Sequence, residues 1–249
     1  MCGRIYATFT EEELALRYLR RKPVEIPPLV PHFNGAPTQK FPIIRALSED
    51  APRGEKQITW MQWQLIPRWE KEFKTKLSTI NAKSETVFQS KLFHTSIRKR
   101  RCILPVSGFF EWKSFDKGPK RAFAIHGTNE KILSLAAIWD SWRAPGSSPS
   151  PPSPEDPEGS ERLSFAILTT QANSLMAGIH DRMPVILSPE EEDDWLNPKL
   201  VEETKIAKFL RPCPSQTLRA YEVSTLVNSP RNNRPEILEP ILMSPSFEN

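Results

Sequence analysis

Six short apolar runs fill the middle of this 249-residue chain: "PIIRAL" at 42–47, "QITWMQWQLI" at 57–66, "CILPVSGFFEW" at 102–112, "RAFAIHG" at 121–127, "ILSLAAIW" at 132–139 and "LSFAILTT" at 163–170. Each is rich in β-branched or aromatic residues, has the length of a strand, and is bounded by turn formers. Helical patterns do not alternate with them, so a doubly wound parallel sheet is excluded. The chain reads as α+β with a largely antiparallel sheet.

Helix signals are few. Thr10 with Glu13 makes a capping box after a strand expected over Gly3 to Phe9, and Leu14, Leu16 and Leu19 supply the apolar positions. A second helix is expected within "SETVFQSKLFHTSIRKR" at 84–100. A third is expected from Ser188, with Pro189 in the first turn and Glu191 in the box position. Prolines through 23–42 forbid a helix and predict an extended surface loop. The stretch 143–162 is Pro-, Ser- and acid-rich. It reads as a disordered insertion between two strands of one domain spanning 1–249, or as a partner-binding Pro-rich segment.

Charge separates function classes only weakly. Lys and Arg exceed Asp and Glu by 34 to 30, but the basic runs "RYLRRK" at 17–22 and "IRKRR" at 97–101 stand apart from the acidic "EEEDD" at 190–194. These are either solvated helix surfaces or part of a nucleic-acid face. Three cysteines without a CxxC pair exclude a disulfide framework and a cysteine metal site; Cys102 and Cys213 read as structural thiols. No apolar run reaches membrane-spanning length and no signal peptide is expected. The expectation is an intracellular, soluble monomer, nuclear if the host has a nucleus and otherwise cytoplasmic, with no metal or cofactor.

Four groups could carry chemistry. Removal of Met1 would leave Cys2 with an α-amine and a thiol on one residue, a pair that condenses with aldehydes to a thiazolidine; position 2 can equally hold an incidental cysteine. Asn81, Lys83 and Glu85 share one face if the chain is extended there, which is either a site or a strand's wet side. Glu111 lies among Phe109, Phe110 and Trp112. A carboxylate in that company is either desolvated and tuned for acid/base work or faces water at a sheet edge. His180, Asp181 and Arg182 cluster on a loop between Gly178 and Pro184, better placed for function than a lone histidine.

"MCGR" at 1–4, "FNGAP" at 33–37, "NAKSET" at 81–86, "GFFEW" at 108–112, "HDRMP" at 180–184 and "VSTLVNSPRNNRPEILEPI" at 223–241, in this order, resemble the SRAP family. These SOS response-associated peptidases are abasic-site processing proteins that crosslink themselves to damaged DNA. The resemblance implies a barrel-like β core with flanking helices and a DNA-binding groove. It implies that Cys2 traps the aldehyde, that Asn81 positions its amine, that Glu111 assists ring opening and that His180 shuttles protons. Arg4, Lys83, Lys91, Thr169 and Arg182 match DNA-contacting positions, Asn34 and Pro37 a loop that interrupts base stacking, and Trp63 and Trp69 an aromatic wall. The implied partner is single-stranded or junction DNA with an abasic site, together with replication-associated proteins. Autoproteolytic Met1 removal and lyase activity come with the family. Lys83 and Lys91 stand where arginine is usual, Gln64 where glycine is, and Glu70 where a second tryptophan can follow Trp69. A non-covalent reader of modified DNA and a cysteine peptidase are the rival classes.

Overall fold

The structure is a computed structural model that describes residues 2–20, 28–146 and 161–241. Thirteen strands form two sheets. β1 (Ile5–Ala7), β2 (His32–Gly35), β7 (Gly108–Lys113), β8 (Arg121–Gly127) and β13 (Leu218–Val223) make an antiparallel five-stranded sheet in the order β13-β8-β7-β1-β2. β3 (Lys40–Ala46), β4 (Lys56–Trp63), β6 (Arg101–Val106), β9 (Leu133–Arg143) and β10 (Glu161–Gln171) close on themselves as a barrel. The closing pair is β10 with β4, which is parallel, Ser164 against Gln62. β5 (Asn81–Lys83), β11 (Arg182–Pro184) and β12 (Ile186–Leu187) extend this ring, the first two on β10 and the third on β9.

Alternation along the ring strands gives each face its own core. Ile43, Met61, Trp63, Cys102, Phe165 and Ile167 share one cluster with Cys2, Ile5 and Phe109 of the other sheet. Ile44, Ile103, Ala136 and Leu168 lie in a second cluster with helix residues Leu14, Tyr18, Ile97 and Trp195. Those residues come from α1 (Glu11–Leu19), α2 (His94–Lys99) and α4 (Glu192–Trp195); α3 (Ser174–Ala177) and α5 (Glu203–Ile206) complete the helices.

The expected loop over 23–42 is corrected in part: β2 and the start of β3 lie inside it, while 21–27 fall outside the described residues. Pro42 is tolerated in β3 for a reason the register supplies. β3 meets β6 at Ile44 and Ile103, and two residues on, Pro42 falls opposite Pro105. Neither has an N–H, so the ladder stops there. Thr10 caps α1 with both bonds of the box present. The helix expected within 84–100 shrinks to His94–Lys99, and the one expected from Ser188 begins at Glu192, although the Ser188 N–H does donate to the Glu191 carboxylate at 3.0 Å. The centre of the 143–162 insertion lies outside the described residues.

In the described residues much of the charge in these runs is met by internal pairs. Glu191 meets Arg211, Glu192 meets Arg17, Asp193 meets Lys56 and Asp194 meets Arg53. In the basic run, Arg98 pairs with Glu203 and Arg100 with Asp140. Arg101 is buried and donates to four backbone carbonyls, those of Ile97, Arg98, Trp195 and Asn197, at 2.7 to 3.0 Å.

Three described residues other than glycine have positive φ: Arg20 at +55°, Thr38 at +74° and Gln64 at +117°. Gln64, which follows Trp63, lies furthest from the left-handed helical region, in a conformation that glycine adopts freely and a β-branched side chain resists. Its N–H donates to Phe165 and so locks the barrel's closing pair. Gln64→Val is therefore expected to cost about 2 kcal/mol and Gln64→Gly less than about 0.5 kcal/mol, read from denaturant midpoints.

Candidate functional site

Cys2 leads into β1 and is completely buried, in the core that also takes Phe109 and Phe165. Its carbonyl accepts from Asn81 Nδ2 at 2.8 Å. Burial pushes the Cys2 thiol well up from the ordinary range, and the Glu111 carboxylate adds to that; the Arg4 backbone N–H pulls the other way. At neutral pH the sulfur therefore carries its proton.

Glu111 reaches this place by strand alternation. On β7, Phe109 and Glu111 point to the same side and Phe110 to the other, and Phe109 belongs to the core that holds Cys2. At 3% exposure Glu111 is buried and does not face water at a sheet edge.

Asn81 is 8% exposed at the start of β5, which lies parallel to β10 with Asn81 opposite Ile167. Its Oδ1 is buried and takes no hydrogen bond from the described residues. It thus presents a desolvated acceptor beside the cysteine it already holds. Lys83, at the far end of the same short strand, is exposed, and Glu85 lies beyond it in a turn.

His180 follows α3. Asn173 caps that helix through the Met176 N–H at 2.9 Å, Met176 enters the Cys2 core, and the His180 N–H donates to the Met176 carbonyl at 2.8 Å. Its Nδ1 has two neighbours with opposite demands. The Arg182 N–H, 2.9 Å away, needs a bare nitrogen, whereas Asp181 Oδ1, 2.8 Å away, needs a protonated one.

The residues expected to touch DNA divide. Trp69 is 63% exposed and Lys83 and Lys91 are exposed, so all three are available. Trp63 is not: it has no exposed surface, stacks on Phe165 at 6.4 Å and donates its indole N–H to Ile80. Its place in an aromatic wall is corrected to a core role. Thr169 is likewise buried, and its hydroxyl and carbonyl both accept from Arg182. Asn34 is 2% exposed, and its amide donates to the carbonyls of Val227, Ser229 and Asn232 while its oxygen takes Arg4. Arg4 also donates to Val227 and lies over Trp112; burial lowers its pKa. Pro37 sits half-buried in the β2–β3 turn, where the next N–H, from Thr38, donates to Trp63 at 2.7 Å.

Arg182 is engaged in a way the sequence did not announce. Glu85 takes its guanidinium in a two-pronged bond at 3.0 and 2.9 Å, tying the turn after β5 to the start of β11 across β10. Burial pushes the Glu85 carboxyl up, but the bond from Arg182 pulls it further down, below the usual range. The one available signal was the shared motif spacing, which named both residues without pairing them. Among the described residues no three His, Cys, Asp or Glu side chains group as metal ligands, and no helix is long and apolar enough to cross a membrane.

Comparison with known proteins places this arrangement. Abasic site processing protein YoqW of Bacillus subtilis is 35% identical over 209 residues, 84% of this chain and 86% of that protein. Abasic site processing protein HMCES of Xenopus tropicalis is 29% identical over 238 residues, 86% of this chain and 67% of that one. A crystal structure of a protein from Bacteroides thetaiotaomicron superposes with a TM-score of 0.77 at 29% identity, covering 97% of this chain and all of that one. The family described as SOS response associated peptidase (SRAP) matches residues 1–230. A closed barrel, a buried second-residue cysteine and this match over nearly the whole length lead to one conclusion: the chain belongs to the SRAP family.

Proposed function

We propose that this protein processes abasic sites in DNA by capturing the open-sugar aldehyde on Cys2, acting as one domain over 1–249. The observation that carries the reading is Cys2 itself, buried at the chain's start between Asn81 and the Glu111 carboxylate. A cysteine at so frayed a position is packed this tightly only when neighbours are built to hold it.

The chemistry follows from those neighbours. Once Met1 is removed, the Cys2 amine attacks the aldehyde carbon, water leaves and an imine forms. The thiol then adds to the same carbon while its proton passes to the imine nitrogen, closing a thiazolidine with no further loss. Asn81 Oδ1 accepts from the amine and keeps its lone pair aimed at the carbon. Glu111 exchanges protons with the sugar as its ring opens and with the departing water. His180, able to hold a proton on either nitrogen, serves the same transfers and their reversal. Trp69, Lys83 and Lys91 guide the strand from outside, whereas Arg4 and Asn34 shape the entry by fixing the loop at 227–232, with Pro37 in the turn beside Asn34. A protease reading is less well supported, because an α-amine and a thiol on one residue suit an aldehyde better than an amide.

Intact-protein mass spectrometry before and after incubation with an oligonucleotide bearing one abasic site tests the reading. The expected result is loss of the Met1 mass, then an adduct equal to protein plus DNA minus one water, absent with undamaged DNA. A retained Met1 and no adduct overturns it. A second expectation concerns Glu111→Gln, which keeps the shape and removes the proton. Adduct formation in single-turnover gels is expected to slow by about 10²-fold or more, with the thermal midpoint little changed.

A further inference from the structure

The face of β7 that presents Glu111 does not end there. Lys113 lies two residues further on the same side, about 7 Å along the strand, and Arg121 of β8 is directly across from it. Beyond them the β7–β8 turn, 114–120, is exposed throughout. Phe115, 39% exposed, sits there between two cations, with Lys113 Nζ 5.3 Å and the Arg121 guanidinium 5.2 Å from its ring centroid. Lys117 and Lys120 complete the tip.

The charges facing this tip are few. Glu222 of the neighbouring strand β13 accepts from Arg121, at 2.6 Å to its Nε, and Asp116 lies in the turn. Lys113, Lys117 and Lys120 form no ion pair with the described residues. The acidic run at 190–194 is matched by opposite charges. Here a positive excess is kept at the surface and ordered by an aromatic ring.

The geometry points to the β7–β8 hairpin tip as a second contact for DNA, gripping backbone phosphates that flank the lesion on the side toward which β7 runs. This rests on the DNA reading above. Phe115 acts as the organiser: by holding two side-chain cations over its ring it presents them in fixed positions, which lowers the entropy lost when phosphate binds. The contact is sequence-independent and needs DNA long enough to pass the site.

The experiment measures binding of an oligonucleotide carrying a central tetrahydrofuran abasic analogue, which has no aldehyde and cannot crosslink, by fluorescence anisotropy over a range of salt. With a long oligonucleotide, Lys117→Ala/Lys120→Ala is expected to raise Kd about tenfold and to reduce the slope of log K against log salt by about 1.4, two phosphates at 0.7 each. Phe115→Leu, which keeps an apolar side chain and removes the ring, is expected to raise Kd about threefold. Both losses disappear when the oligonucleotide is trimmed to about four nucleotides, the lower end of single-strand site sizes. Equal Kd and slope for wild type and double variant on the long oligonucleotide overturns the hairpin contact, leaving the tip for an acidic partner of another class. Absence of both salt-dependent binding and aldehyde adduct in the wild type overturns the DNA reading itself.

Discussion

Cys2→Ala is expected to abolish the heat-stable adduct, while Cys2→Ser is expected to leave only a labile one that survives if reduced with borohydride. The difference isolates the sulfur. Serine keeps the α-amine, its size and the carbonyl bond to Asn81, so the imine still forms. Its hydroxyl closes to an oxazolidine, which reopens readily, so hydrolysis competes throughout. The measurement is denaturing electrophoresis of a labelled abasic oligonucleotide, with and without reductant. A heat-stable band at wild-type level in both variants would mean that another nucleophile does the trapping. The prediction is sharp because the other two thiols cannot substitute: Cys102 lies inside β6 and Cys213 in a loop at the edge of this core, and neither carries an α-amine to form the imine that the thiol closes on.

The second large effect concerns stability. Arg101→Met is expected to destabilise the protein by about 3 kcal/mol, lowering the thermal midpoint by roughly 8 °C for a chain of this size. Helix ends leave carbonyls without intrahelical donors, and α2 and α4 end close together here. The Arg101 guanidinium serves both, bonding Ile97 and Arg98 of the first and Trp195 and Asn197 at the end of the second. Its charge also complements the negative end of each helix. Burial lowers its pKa to about 10, still well above neutrality, so the charge is retained where the carbonyls need it. Methionine fills the volume and leaves four buried acceptors unpaired. Unchanged denaturation would show that water replaces the guanidinium at no cost.

How much of this was legible depends on whether the responsible signal is local. The Thr10 box and the six apolar runs are local, and they appear where the sequence put them. Ring closure is not: β10 joins β4 in parallel across a hundred residues, and no periodicity encodes it. Trp63 illustrates the cost. The resemblance placed it in an aromatic wall, but the parallel closure laid Phe165 beside it and sealed the indole. The basic run at 97–101 misled for the same reason, since the partners of Arg98, Arg100 and Arg101 come from remote segments. Glu111 and Asn81 were legible as candidates because polar groups inside apolar strands are conspicuous, whereas Glu85 and its clasp on Arg182 required the alignment of two strands on a third.

That third strand also sets a clock. Among the described residues β5 pairs only with β10, so Asn81 is not fixed against Cys2 until β10 has left the ribosome. At ordinary rates of synthesis this comes roughly 10–30 s after the first residues emerge. Throughout that interval Cys2 has no finished enclosure. On the function proposed above, any trimming that frees the Cys2 amine would come first and burial second, the order an amine-based trap requires.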